Sequence, residues 1–268
     1  MQQTTACHAP LCIDLFCGLG GWAEGFLAEG YRVIGFDVER HDYGTGGYPG
    51  QLVLQDVLTL HGSQFRNATV IVASPPCQEY SYMAMPWSRA KKIAAEYRDG
   101  TRDVKDLTRL FDACFRIQRE ACEAAGRYIP MVVENVCGAQ KWLGRAAWHY
   151  GSYYLWGDVP AIMPITFKIK NTGGSWFGQR NGEALERNDP RYTRADATVA
   201  VKVPSEHGRR TTPGNRSSAR KAASAQIAKI PFDLARYIAM VYKPEDKKIC
   251  FKPAGQPGKE RSTVPIDS

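Results

Sequence analysis

A cysteine set directly behind two prolines, in Ser74-Pro75-Pro76-Cys77-Gln78, is the side chain of this protein best placed to act as a nucleophile. Each proline fixes its own φ and removes a backbone donor, so the pair holds the residue that follows. A thiol is the best side-chain nucleophile near neutral pH. Further along, Glu134-Asn135-Val136 offers a carboxylic acid that can hydrogen-bond a ring nitrogen and so activate an aromatic heterocycle toward attack, with an amide to orient it. Upstream, Asp14-Leu15-Phe16-Cys17-Gly18-Leu19-Gly20-Gly21 closes an apolar run in a glycine turn, which lets a backbone approach a nucleotide-like ligand. Asp37, near the end of a second apolar run, could take ribose hydroxyls, and Asp56, after a third, could accept from an adenine amino group. Cradle, nucleophile and acid together describe a catalytic site.

These residues need a scaffold that brings them to one edge. Apolar runs at Leu11–Phe16, Tyr31–Val38, Gln51–Leu54, Ala68–Ala73 and Met131–Val133 read as strands, each with a chemistry-bearing residue near or shortly after its end. Trp22–Glu29 has helical spacing and closes at Gly30. Leu107, Leu110, Phe111, Cys114, Ile117, Ala121, Cys122 and Ala125 share one face of a second helix that ends at Gly126. Strands alternating with helices predict an α/β fold, a parallel sheet covered on both faces. Tyr82–Asp106 shows no clear period and reads as a long loop, a lid over the site. His149–Gly157 reads as an aromatic-rich strand. Ile230-Pro231 opens a last helix to about Val241, whose Phe232, Ala235, Ile238, Ala239 and Tyr242 would dock on the first domain.

The 268 residues carry a net charge of +8. Twelve Lys/Arg and five acids between Thr166 and Ala225 place +7 of it in one Gly/Ser/Asn-rich segment, the footprint of a polyanion-binding lobe. The boundaries expected are a catalytic domain over 1–165, the basic region over 166–225, and a returning helix and tail over 226–268. Eight cysteines show no Cys-x-x-Cys pair, so most read as small buried hydrophobes and no metal is expected. No apolar run approaches the roughly 20 residues of a membrane span. The first ten residues lack a basic start and an apolar core, so a soluble cytoplasmic protein is expected.

In this order and at these separations, Asp14-Leu-Phe-Cys-Gly-Leu-Gly-Gly21, Pro75-Pro-Cys-Gln78 and Glu134-Asn-Val136 resemble the motifs of the DNA (cytosine-5) methyltransferases, over about residues 11–165. Their compact form resembles stand-alone phage or prophage enzymes. The resemblance implies a Rossmann-like S-adenosylmethionine-dependent methyltransferase sheet with helices on both faces, plus a small basic target-recognition lobe. It implies S-adenosylmethionine as cofactor, lined by Asp14, Phe16, Cys17, Gly18, Gly20, Gly21, Asp37, Val38, Asp56, Val57 and Pro75. Cys77 would add to C6 of a flipped-out cytosine, and Glu134 would contact N3 and the exocyclic amine. Pro76 would shape the pocket, Asn135 would position the Pro-Cys turn, and Gln78 and Ser81 would form the substrate loop. The partner implied is double-stranded DNA, bound by a monomer that methylates it for protection, restriction or regulation.

The chain departs from the family in two places. The usual Gln-x-Arg-x-Arg strand is not evident where His149–Gly157 lies, which leaves the cytosine without an assigned arginine. Gln226-Ile227-Ala228-Lys229-Ile230-Pro231 stands where a Gly-Asn pair usually precedes the last helix. A relative acting on RNA, or a silent DNA-binding homologue, are the competing readings.

Overall fold

A computed structural model describes residues 9–43, 46–77, 80, 87–163, 179–180, 183–184, 225 and 228–244. Gln78, Ser81, nearly all of the basic region, and the N- and C-terminal tails lie outside the described residues.

Five strands run parallel in the order β3 (Gln51–Leu54), β2 (Arg32–Asp37), β1 (Leu11–Leu15), β4 (Val70–Ala73) and β5 (Met131–Asn135). Beyond β5 the sheet continues antiparallel through β7 (Tyr153–Gly157) to the outermost strand β6 (Trp148–Tyr150). β4 and β5 are buried at every position, as expected of strands covered on both faces. One face packs Ile13, Leu15, Ile71 and Val133 against α3 (Val104–Ala125) through Phe111, Cys114 and Ile117. The other packs Cys12, Val33, Val72 and Val132 against α1 (Gly21–Ala28) and a C-terminal helix at Phe232–Tyr242. The expected α/β sheet, Rossmann-like and covered on both sides, is what forms.

Three expectations need correcting. The stretch read as a loop contains α2 (Trp87–Arg98), and α3 begins at Val104. Ala90, Ile93, Ala94 and Tyr97 give α2 a buried stripe at helical spacing. That short stripe lies among the many charges of a mostly polar helix. The single strand expected at His149–Gly157 is a hairpin, because Gly151 takes φ +60° and turns β6 into β7. Glu134 and Asn135 lie inside β5 rather than after it.

The short α4 (Gln140–Leu143) follows β5, and a separate two-stranded pair, β8 (Gln179–Arg180) with β9 (Glu183–Ala184), lies within the basic region. The C-terminal helix, α5 (Phe232–Tyr242), docks on α1 as expected, through Leu234, Ala235, Ile238 and Ala239. Tyr242 is half-buried behind them. Phe232, to the side of that face in the first turn, is exposed instead. Lys229 and Arg236 secure the join through Glu24 at 2.5 Å and Glu29 at 2.7 Å.

Candidate active site

All the described candidate residues gather at the carboxyl ends of β1 to β5. Phe16 follows β1 directly, and its φ of +58° is rare for a bulky residue. The Cys17 N–H donates to the Phe36 carbonyl, and the Gly18 N–H donates to Asp37 Oδ2 at 2.9 Å, which folds the glycine turn back over the end of β2. Asp37 Oδ1 accepts from the Val38 and Glu39 N–H groups and contacts His41. A carboxylate has about four acceptor positions, so Oδ2 keeps one for a hydroxyl.

The glycines divide by what surrounds them. At Gly18, φ is +49° and no atom lies within 4 Å of an added Cβ, so its outer face is open. A Cβ at Gly20 would meet Pro49, and one at Gly21 would meet the Ile230 backbone. Packing of the chain on itself accounts for the missing side chains there. Val38 is 68% exposed and Asp56 is exposed at the end of β3. Asp56 Oδ1 accepts from the Leu58 N–H. Val57 is buried beneath it. An open glycine, an exposed apolar side chain and two acids with acceptor capacity to spare fit an adenosine-bearing ligand. Cys17 is buried, and burial pushes its thiol well above the usual range.

Asp14 lies deeper than expected from its sequence position. It is wholly buried, its Oδ2 accepts from the Tyr48 hydroxyl at 3.0 Å, and Oδ1 has no partner among the described residues. Burial raises its pKa well above the usual carboxylate range. Tyr48 is a residue the sequence reading missed. Its ring fills the space left by Gly20, Gly35 and Gly50. A tyrosine within a Gly/Pro-rich stretch, with glycines at those three positions, is the only local signal of it.

Ser74, Pro75, Pro76 and Cys77 follow β4 directly. Pro75 is buried and Pro76 exposed, with Cys77 half-buried between sheet and surface. Asn135 Nδ2 donates to the Pro75 carbonyl at 3.0 Å, and its Oδ1 accepts from the Val136 N–H. Asn135 is 1% exposed, so one buried amide ties the thiol's turn to the strand that carries the acid. Glu134 hydrogen-bonds with Ser74, whose Oγ also accepts from Trp22 Nε1 at 3.0 Å. Ser74 and Trp22 were not singled out beforehand, although Ser74 adjoins the proline pair. Burial raises Glu134 to about 8, with the Ser74 hydrogen bond working against the rise. Burial, and then the charge of Glu134, raise the Cys77 thiol to about 11. At neutral pH the acid is therefore protonated and able to donate, and its neutrality removes one of the two causes that hold the thiol up. Beside the turn, Pro76, Tyr80, Tyr97, Arg102, Asp106 and Leu107 line a cleft of about 680 Å³.

Among the described residues no group of three or more His, Cys, Asp or Glu side chains is gathered to hold a metal. No helix among them is long and apolar enough to cross a membrane.

Sheet order and site geometry define an α/β protein with a glycine turn beside a proline-held thiol and a buried carboxylic acid. Residues 11–100, which hold the glycine turn and the Pro-Pro-Cys turn, match the family of C-5 cytosine-specific DNA methylases. The chain is 31% identical over 107 residues to the type II methyltransferase M1.HphI of Haemophilus parahaemolyticus, covering 36% of this chain and 27% of that one. The chain thus spans little more than a quarter of that relative's length. A solved structure of a candidate DNA modification methyltransferase encoded within an E. coli prophage is also similar, at 23% identity and a TM-score of 0.33, over 49% of this chain and 33% of that one. The resemblance read from the three motifs is thus found independently over the segment that carries two of them.

Proposed function

We propose that the protein is a DNA (cytosine-5) methyltransferase acting on a cytosine extruded from duplex DNA, with Cys77 as nucleophile and Glu134 as acid. The observation that carries this reading is the Asn135 bridge. It holds a buried, protonated glutamic acid and a proline-fixed thiol at adjacent strand ends, where one planar heterocycle can meet both.

The chemistry follows from the residues. A base inside a duplex is out of reach, so it is extruded at a cost of a few kcal/mol. Glu134 donates to N3 of the extruded ring and withdraws electron density from C6. Cys77 gives its proton to solvent and adds to C6 as the thiolate, and C5 becomes nucleophilic. S-adenosylmethionine, when bound, would supply an electrophilic methyl group to C5, its sulfonium S–CH3 bond breaking to leave the neutral thioether. Transfer of the C5 proton to solvent and breaking of the C6–S bond, which releases the thiolate, then restore the aromatic ring. Asp37 and Asp56 hold the ribose and adenine of the cofactor, Phe16 and Val38 contact its apolar faces, and Gly18 lets it approach the backbone. Gln78 and Ser81 complete the substrate loop. The basic residues between 166 and 225 contact the phosphates and offset the cost of extrusion. Double-stranded DNA in the cytoplasm, bound by a monomer, is the setting this implies.

The test is nucleoside mass spectrometry of DNA from a host without 5-methylcytosine, expressing either the parent protein or Cys77→Ala. The expected outcome is 5-methylcytosine with the parent and none with the variant, while S-adenosylmethionine binding survives the substitution. Soluble parent protein that binds the cofactor and leaves cytosine unmodified would sink the reading.

A further inference from the structure

Between Asn135 and Asp158 the chain carries six Trp or Tyr residues and no acid; Lys141 and Arg145 are its only Lys or Arg residues. Most of these aromatic rings face inward. Trp148, 40% exposed, and the exposed His149 lie on β6, the outermost strand of the sheet. The His149 ring stacks on Tyr154, with centroids 5.1 Å apart and an interplanar angle of 18°. The Trp148 ring centroid lies 6.5 Å from that of His149, with the planes 27° apart. His149 and Tyr154 therefore form a stacked pair at a surface edge, and Trp148, paired with Leu155, adjoins them from the other face of the strand.

The stack is tied to the site by strand register. Asn135 lies opposite Tyr154, and Tyr154 opposite His149, so the three form one cross-strand row. Directly paired side chains of neighbouring strands point to the same face. At the inner end of the row, Asn135 holds the Pro75 carbonyl. The row thus runs from the nucleophile's turn to the sheet's edge over two strand spacings, each about 4.8 Å. The hairpin also occupies the place where the arginine-bearing strand expected from the resemblance is missing.

We propose that the stacked His149–Tyr154 pair, with the exposed Trp148 ring beside it, is a nucleobase platform that receives an unpaired base of the DNA strand beside the extruded cytosine, with Lys141 and Arg145 meeting the adjoining phosphates. Stacking on aromatic rings tolerates any base, because every base has a π-face. The two cations, with no carboxylate near them in sequence, complement the phosphates on either side of that base. The inference rests on the reading of the protein as one that acts on DNA.

The test uses the full chain and a labelled single-stranded oligothymidine, with affinity measured by fluorescence anisotropy at fixed salt. Trp148→Ala/His149→Ala is expected to weaken binding roughly tenfold. Trp148→Phe/His149→Tyr retains parent affinity, because it keeps two stacking rings. Lys141→Ala/Arg145→Ala lowers the slope of log affinity against log salt by about one for each cation. Unfolding temperature and S-adenosylmethionine affinity should stay at parent values in all three. Equal oligonucleotide affinity in the parent and the double-alanine variant overturns the platform, as does a parent that binds no single strand. A parent that binds through these rings yet makes no 5-methylcytosine leaves the platform standing and overturns the proposed reaction instead.

Discussion

Glu134 shows how one buried side chain couples stability to chemistry. Its pKa of about 8 in the fold lies above the usual 4.5 of a glutamic acid, because burial penalises the charged form. Between those two values the unfolded chain has released the proton and the folded chain keeps it. Stability therefore falls as pH rises through that window and is greatest below it. Glu134→Gln keeps the shape and removes the titration. The variant is expected to unfold with a flatter pH dependence between pH 5 and 8 and to gain on the order of a few kcal/mol over the parent near pH 8. Urea unfolding at several pH values measures this; parallel pH profiles for parent and variant would contradict it. The same variant should lose methyl transfer, and parent activity should decline above about pH 8 as the donor ionises. Cys77 and Glu134 were legible in the sequence as residue types at strand ends. Their altered acidity was not, because it depends on burial by neighbours distant in sequence.

At the scale of the elements, the contact between α1 and α5 bears most on the cradle. A Cβ at Gly25 would lie 2.4 Å from the Arg236 backbone nitrogen and 2.5 Å from the Ala235 Cβ. At Gly21 it would lie 2.5 Å from the Ile230 nitrogen. Gly25→Ala must therefore push the helices apart, at a cost of roughly 1–3 kcal/mol. A lower unfolding temperature and weaker cofactor binding are expected together, since α1 begins at the glycine turn. Calorimetry and titration of S-adenosylmethionine check it, and an unchanged unfolding temperature would show that the helices absorb the methyl group. The helix periods of α1, α3 and α5 were readable because their apolar residues recur every three or four positions. α2 was not, since four buried positions among many charges give a faint stripe. The β6–β7 hairpin was missed because its turn interrupts a run that is aromatic throughout.

For the whole molecule, charge is the property with the clearest consequence. The +8 net charge, most of it between residues 166 and 225, should make duplex binding depend on released counterions. Affinity for a DNA duplex is expected to fall at least about tenfold between about 50 and 200 mM salt, read by anisotropy. Affinity independent of salt would remove the basic region from the binding surface.

The sequence alone determined the strand-and-turn grammar and the order of cradle, thiol and acid along it. These are local matters of residue type, proline geometry and apolar runs. The resemblance implied that Asn135 positions the Pro-Cys turn; only the tertiary structure decided that it does so through the Pro75 carbonyl, that Tyr48 plugs the space beneath the glycine turn and holds Asp14, and that His149 and Tyr154 stack at the sheet's edge. Asn135 and Pro75 are 60 positions apart, and Tyr48 and Asp14 are 34 apart. Such contacts arise from strand order and register, which no local spacing encodes.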